Sequence, residues 1–206
     1  MGSIKYFLFL IFSTALLSSC SLLGVEHIFE KGYTNEHGQY VPKRDRFQFK
    51  QYDGGTIPEN LDTVNVYRLE TMYFDQVKMY PLEQEEIQNN AWGELNRQQM
   101  FMRFYPGGRV LLFSIPLKKP DGSINSLTVK DLNPNSPNYS KAYYRADGHN
   151  IEVEDFVYGE GYGRYIISDF TLSSTGDTLR RKSDRLTEVY VRHSLPEEWK
   201  SYNVDW

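Results

Sequence analysis

Residues 99–115 read QMFMRFYPGGRVLLFSI, and this stretch decides the fold class. Two runs rich in aromatic and aliphatic side chains, Gln99 to Tyr105 and Arg109 to Ile115, flank Pro106-Gly107-Gly108. The glycines supply the positive φ that a tight reversal needs, so the stretch predicts a β-hairpin. The pattern continues downstream through Tyr139 to Arg145, Asn150 to Tyr158 and Gly163 to Ser173, parted by Asp147-Gly148 and the Gly159 to Gly163 loop. After Thr175-Gly176-Asp177 a last strand region reaches His193. Strands of this length between glycine-bearing turns predict an all-β fold, an antiparallel meander closed into a barrel or strongly curved, rather than βαβ units.

Upstream the signal is weaker. Thr63 to Glu70 reads as a strand, and Arg46 to Tyr52 as a short first strand in which Phe47 and Phe49 alternate with polar neighbours before the Asp53-Gly54-Gly55 turn. Pro81 to Asn90 loses β-branched residues and gains Glu and Gln, which predicts a helix leading to Trp92, set over one end of the core. A further strand is expected from Ile124 to Lys130, after the Pro120-Asp121-Gly122 turn. Ser194-Leu195-Pro196-Glu197 resembles a capping box opening a short helix through Trp199, with Trp199, Tyr202 and Trp206 pinning the tail to a barrel end. Along one strand, Ile151, Val153 and Asp155 share a face and Glu152, Glu154 and Phe156 share the other, an arrangement expected to show most of its acids to water.

The first 19 residues differ from the rest. Lys5 precedes an apolar run from Tyr6 to Leu17, followed by Ser18 and Ser19, the three-part layout of a signal peptide. The run is too short to cross a bilayer core, which takes about 20 residues as a helix. Leu17-Ser18-Ser19-Cys20 resembles the lipobox of bacterial lipoproteins, and Cys20 is the chain's single cysteine. That resemblance implies cleavage between Ser19 and Cys20, diacylglycerol on the thiol and a further acyl chain, such as palmitate, on the new amine. Several long acyl chains on one residue anchor a protein firmly without spanning. A myristoylation signal is not met, because Tyr6 stands where Ser or Thr is required. Ser21, rather than Asp, after the lipidated cysteine points to the outer membrane, and the run Ser21 to Glu26 lacks the acidic cluster of surface-displayed lipoproteins. The expected organisation is a signal peptide at 1–19, a lipidated tether at 20–45 and one β-rich domain at 46–206, facing the periplasm.

Phe104-Tyr105-Pro106-Gly107-Gly108-Arg109-Val110, then Tyr143-Tyr144, Ile151 to Glu154 and Gly176-Asp177-Thr178-Leu179 resemble a pattern among small lipoproteins of the Bacteroidetes phylum, some lipocalin-like. The resemblance spans about residues 99 to 192 and implies a lipocalin-like barrel with a small ligand in its mouth. The chain departs from lipocalins in lacking Gly-x-Trp on a first strand; it has Trp92-Gly93 instead. Asp62-Thr63-Val64 and Asp177-Thr178-Leu179 resemble the O-glycosylation site of that phylum, which makes Thr63 and Thr178 candidate acceptors.

Composition narrows the function classes. The chain carries 23 basic and 27 acidic residues, so nothing in its charge recruits nucleic acid. A second thiol is absent, which excludes an intramolecular disulfide and a thiolate zinc cluster. Aromatics make up 15%, as suits half-buried strands, and a tyrosine-rich surface also stacks on sugars. His27, His37, His149 and His193 have no partner at metal-ligand spacing. Glu152, Glu154, Asp155 and Asp169 form at most a solvated acidic patch, and no Gly-x-Ser-x-Gly or phosphate-cradling loop occurs. The sequence therefore leads to the expectation of a non-enzymatic envelope lipoprotein, without metal or cofactor, binding a small ligand or glycan. The alternative is an accessory subunit docking on another envelope protein; a hydrolase comes third.

Overall fold

The computed structural model describes residues 31–52, 57–81, 97–135, 139–159 and 162–201. The leader with Cys20, His27, the Asp53-Gly54-Gly55 turn, the expected helix beyond Pro81, Trp92, Tyr202 and Trp206 lie outside these residues.

Among the described residues nine strands form one antiparallel sheet: β3 (Val66–Phe74), β4 (Val77–Tyr80), β5 (Gln98–Tyr105), β6 (Arg109–Pro116), β7 (Tyr139–Asp147), β8 (Asn150–Gly159), β9 (Tyr162–Leu172), β10 (Thr178–Lys182) and β11 (Leu186–His193). Consecutive strands pair from β5 to β11, and β11 then pairs with β3, which closes an eight-stranded barrel. Strand β3 divides its other edge. Tyr67 and Arg68 pair with β5, while Met72 to Phe74 pair with β4, which lies outside the ring. A separate hairpin, β1 (Gly32–Thr34) and β2 (Tyr40–Pro42), forms inside the stretch expected to be tether.

Period-two alternation sorts each strand into an inner and an outer set. Tyr67, Leu69, Met102, Phe104, Val110, Ala142, Tyr144, Ile151, Val153, Phe170, Leu172, Leu179 and Tyr190 make the inner core. Tyr67, Phe104 and Tyr144 meet edge to face, with centroids 5.8 and 5.2 Å apart, and plug the end where β3 begins and β5 ends. The Tyr67 hydroxyl donates to the Gly176 carbonyl at 2.8 Å, so this buried phenol is satisfied; burial pushes its pKa up to about 12.

A second core lies outside the barrel. Phe101, Phe113 and Tyr139 are cross-strand neighbours whose rings stack 5.2 and 5.1 Å apart. Leu132, from a 3-10 turn at Val129–Leu132, and Leu195 bury this row together with Val66, Leu111 and Ile115. Trp199, in the short helix α1 (Glu197–Lys200), packs against the same cluster, and the Lys200 carbonyl accepts from buried Arg103 at 3.0 Å. The N-terminal segment covers another part of the wall. Phe47 packs 4.9 Å from both Tyr143 and Tyr165, and Tyr40 stacks on Tyr158 at 3.6 Å. Phe156 lies over Gly163, where an added Cβ would fall 2.0 Å from the ring; this close approach is what keeps residue 163 a glycine.

Five local expectations are corrected. Arg46 to Tyr52 is not a strand; Phe49–Tyr52 turns as a 3-10 helix, because the Phe49 amide donates to Glu154 at 2.8 Å and draws the chain onto the wall. Glu154, expected in water, is therefore fully buried beneath that segment. Ile124 to Lys130 makes only a bridge from Ile124 to Lys118, since the residues after it turn to insert Leu132. Pro196, not Ser194, precedes α1, and no side chain caps it, so the capping box is absent. Trp199 lies on the barrel's side instead of its end, because α1 follows β11 back along the outer core.

Candidate functional site

The two halves of the barrel interior are filled differently. Toward the plugged end, inward positions carry Tyr67, Phe104, Tyr144, Leu172 and Leu179. Toward the other end the same inward phase brings Ser114 on β6, Ser140 on β7, Asp155 on β8 and Ser168 on β9. Three hydroxymethyl groups and a short carboxyl replace ring-sized side chains, and a cavity of about 390 Å3 remains. Met100, Met102, Leu112, Val153, Val157, Ile166 and Phe170 give it apolar walls, with Tyr190 beside them. An eight-stranded barrel is just wide enough to be filled by side chains or to hold one small ligand. The volume falls in the range of small-molecule sites, about 300–1,000 Å3.

Asp155 is the site's principal polar group. Its Oδ1 accepts from the Ser140 hydroxyl and, at 2.7 Å, from the Phe156 amide. Burial nevertheless dominates and raises the carboxyl above the ordinary aspartate range, the two hydrogen bonds pulling the other way. The residue lies deep among protein atoms yet keeps some accessible surface, because it faces the cavity. Across the ring, Arg181 on β10 and Glu188 on β11 are cross-strand partners joined at 3.1 Å. Glu188 is almost fully buried, and Arg181 answers its charge. The hydroxyls of Ser114 and Ser168 line the cavity without a hydrogen-bond partner among the described residues.

Searches of family models, of curated proteins and of solved structures return no match. What the site can do thus rests on its own chemistry.

The structure disperses the expected acidic patch. Asp155 points inward, whereas Glu152 pairs with Arg145 on the outer wall, Glu154 is buried under the N-terminal segment and Asp169 is exposed beside Glu152. Two carboxyls sharing one acid/base task need a common reacting atom and separated environments. Of those that line the cavity, Glu188 is held by Arg181 and Asp155 by Ser140, from different strands. His37 lies in the β1–β2 turn, His149 in the β7–β8 turn and His193 at the end of β11. Burial, with Arg68 nearby, lowers the pKa of His193. No group of three or more potential metal ligands occurs among the described residues.

Thr63 and Thr178 come to the same end of the barrel. Arg192 reaches Asp177 and, at 3.8 Å, Asp62, the residues preceding the two threonines. Burial disfavours ionised Asp62, but bonds from Asn65 and Val64 and the charge of Arg192 outweigh it and lower the carboxyl. Both aspartates thus brace the plugged end. Thr178 is half-buried at the start of β10, where its amide donates to the Ser173 hydroxyl at 3.1 Å.

Sequence reasoning did not single out Ser114, Ser140, Ser168, Arg181 or Glu188. The available signal was the phase of Asp155, which shares a face with Ile151 and Val153. A carboxyl at a core position of an amphipathic strand asks for an explanation.

Proposed function

We propose that this chain is a lipid-anchored envelope lipoprotein whose barrel holds a small ligand in its open half and catalyses no reaction. The observation that carries the ligand reading is the 390 Å3 cavity with Asp155 and the unengaged Ser114 and Ser168 hydroxyls on its wall. A barrel selected only for stability gains by filling such space, since lost packing costs roughly 24 cal/mol per Å3 of cavity. Apolar walls with a few convergent polar atoms are the general form of a small-molecule site. The anchoring part rests on Leu17-Ser18-Ser19-Cys20, and the outer membrane, periplasmic side, is the location that Ser21 favours.

A neutral solvatochromic dye titrated into the full chain tests the ligand reading. Dye emission should shift to the blue on binding, and Ser168→Leu, which fills the cavity from β9, should abolish the shift while leaving the far-ultraviolet spectrum intact. Equal binding by the filled variant would sink it. The anchor is tested separately: Cys20→Ser should move the protein from the envelope fraction to the soluble fraction.

A further inference from the structure

Building on the reading that the open half of the barrel is a ligand site, we infer that its ligand is a small amphiphilic amine, whose ammonium sits on Asp155 and whose apolar body lies against Met100, Leu112 and Phe170. The argument begins with what each oxygen of Asp155 does. Oδ1 is occupied by the Ser140 hydroxyl and the Phe156 amide. Among the described residues no donor reaches Oδ2. A carboxylate in a largely apolar chamber without a counter-ion is costly, and it either takes a proton or finds a cation.

Among the described residues no such cation stands free at this wall. Arg181, the basic residue of the cavity lining, is engaged by Glu188 across the β10–β11 ladder. Asp155 neighbours Ile166 on β9 and Ser140 from β7, neither of them charged. Among the described residues the charged groups facing the chamber are therefore Asp155, Glu188 and Arg181, with one negative charge in excess when Asp155 is ionised. Tyr190 adds no charge, since burial, with Glu188 beside it, holds its phenol protonated.

Ligand chemistry follows from that inventory. An anion would place a second negative charge in a chamber already acidic, with Arg181 spoken for. A hydrocarbon would fill the apolar walls but leave Oδ2 and two serine hydroxyls without partners, at the cost of dry polar groups. An ammonium carries three donors and no acceptor. It matches one carboxylate oxygen and the Oγ acceptors of Ser114 and Ser168, and its binding neutralises the chamber. The cavity is small enough to limit the apolar body to about one ring or a short chain.

Isothermal titration of the full chain in mild detergent, against a detergent blank, separates these cases with three probes of one shape: phenethylamine, 2-phenylethanol and 3-phenylpropionate. At pH 7.5 the amine should bind about tenfold or more tighter than the alcohol, the gain expected of a charge-assisted hydrogen bond, and the acid weakest. In Asp155→Asn that preference should vanish, the amine falling to about the alcohol's level in the same variant. In the unaltered protein the amine's affinity should fall as pH drops and Asp155 takes a proton, an arm that needs no variant. Equal binding of amine and alcohol, or a preference for the acid, overturns the amine inference and leaves the cavity reading standing. Silence from all three overturns the amine inference too, and the cavity reading is then judged by the neutral dye alone.

Discussion

Asp155 gives the residue-scale view of how site and stability oppose each other. Its pKa is raised in the folded state, chiefly by burial. Stability from such a group is complete below the ordinary aspartate pKa, about 3.9, and is lost as pH rises through the raised folded value. Above that point the folded chain carries an ionised carboxyl that the unfolded chain hydrates better. Asp155→Asn is neutral at every pH and still accepts from Ser140 and Phe156 through its amide oxygen. It should melt at a higher temperature than the unaltered protein at pH 7, and the gain should shrink toward zero near pH 3. Melting curves across that range decide the matter: a loss at pH 7 would mean that the charge is compensated by something the cavity wall does not show. Glu154 makes the contrast one position away, its Oε2 holding the Phe49 amide at 2.8 Å while Oε1 has no hydrogen-bond partner among the described residues, on the outer wall and outside the cavity lining. Adjacent acids on one strand thus face different fates because the pleat sends them to opposite sides.

At the scale of elements, legibility tracks turn chemistry. The β5–β6 hairpin could be read because Gly107 and Gly108, both at positive φ, announce the turn. The β7–β8 and β9–β10 turns carry Gly148 and Gly176 in the same role. The β3–β4 hairpin gave no such signal. Its two-residue turn is Asp75-Gln76, with φ of 47° and 68°, a left-handed path that glycine would follow without strain. Arg185 compensates by binding Asp75 through its guanidinium at 2.9 Å, a contact 110 residues distant that no local window contains. Gln76→Gly should therefore stabilise the protein by about 1 kcal/mol, the cost of one side chain in the left-handed region. Urea denaturation measures it, and an unchanged midpoint would show that the turn is relaxed. The outer layer was hidden for a different reason. In Gln99 to Tyr105 both phases are apolar, Met100, Met102 and Phe104 within and Phe101 and Tyr105 without, the mark of a strand covered on both faces. What covers it, Leu132 and Leu195, comes from irregular segments without periodicity. The site was illegible on similar grounds: Ser114, Ser140 and Ser168 look like ordinary strand polar residues until closure turns all three inward.

For the whole molecule, the barrel divides into a packed half that carries the fold and a hollow half that holds the proposed ligand site. Phe104 is fully buried between Tyr67 and Tyr144. Met100, two positions along the same inner face, is half-buried at the cavity wall. Truncating Phe104 to alanine should cost about 3–5 kcal/mol, the usual figure for a buried aromatic. Met100→Ala should cost below about 2 kcal/mol, because its side chain already borders empty space and loses fewer contacts. Equilibrium unfolding in urea compares the two directly, and dye binding reports the other half: Met100→Ala should alter affinity while costing less stability than Phe104→Ala. Equal costs at both positions would show that the hollow half is packed tightly in solution, and the ligand site would lose its physical basis. Unequal costs would place the fold's strength at the end braced by Asp62, Arg192 and Asp177, leaving the opposite end free to carry serines and an uncompensated carboxyl.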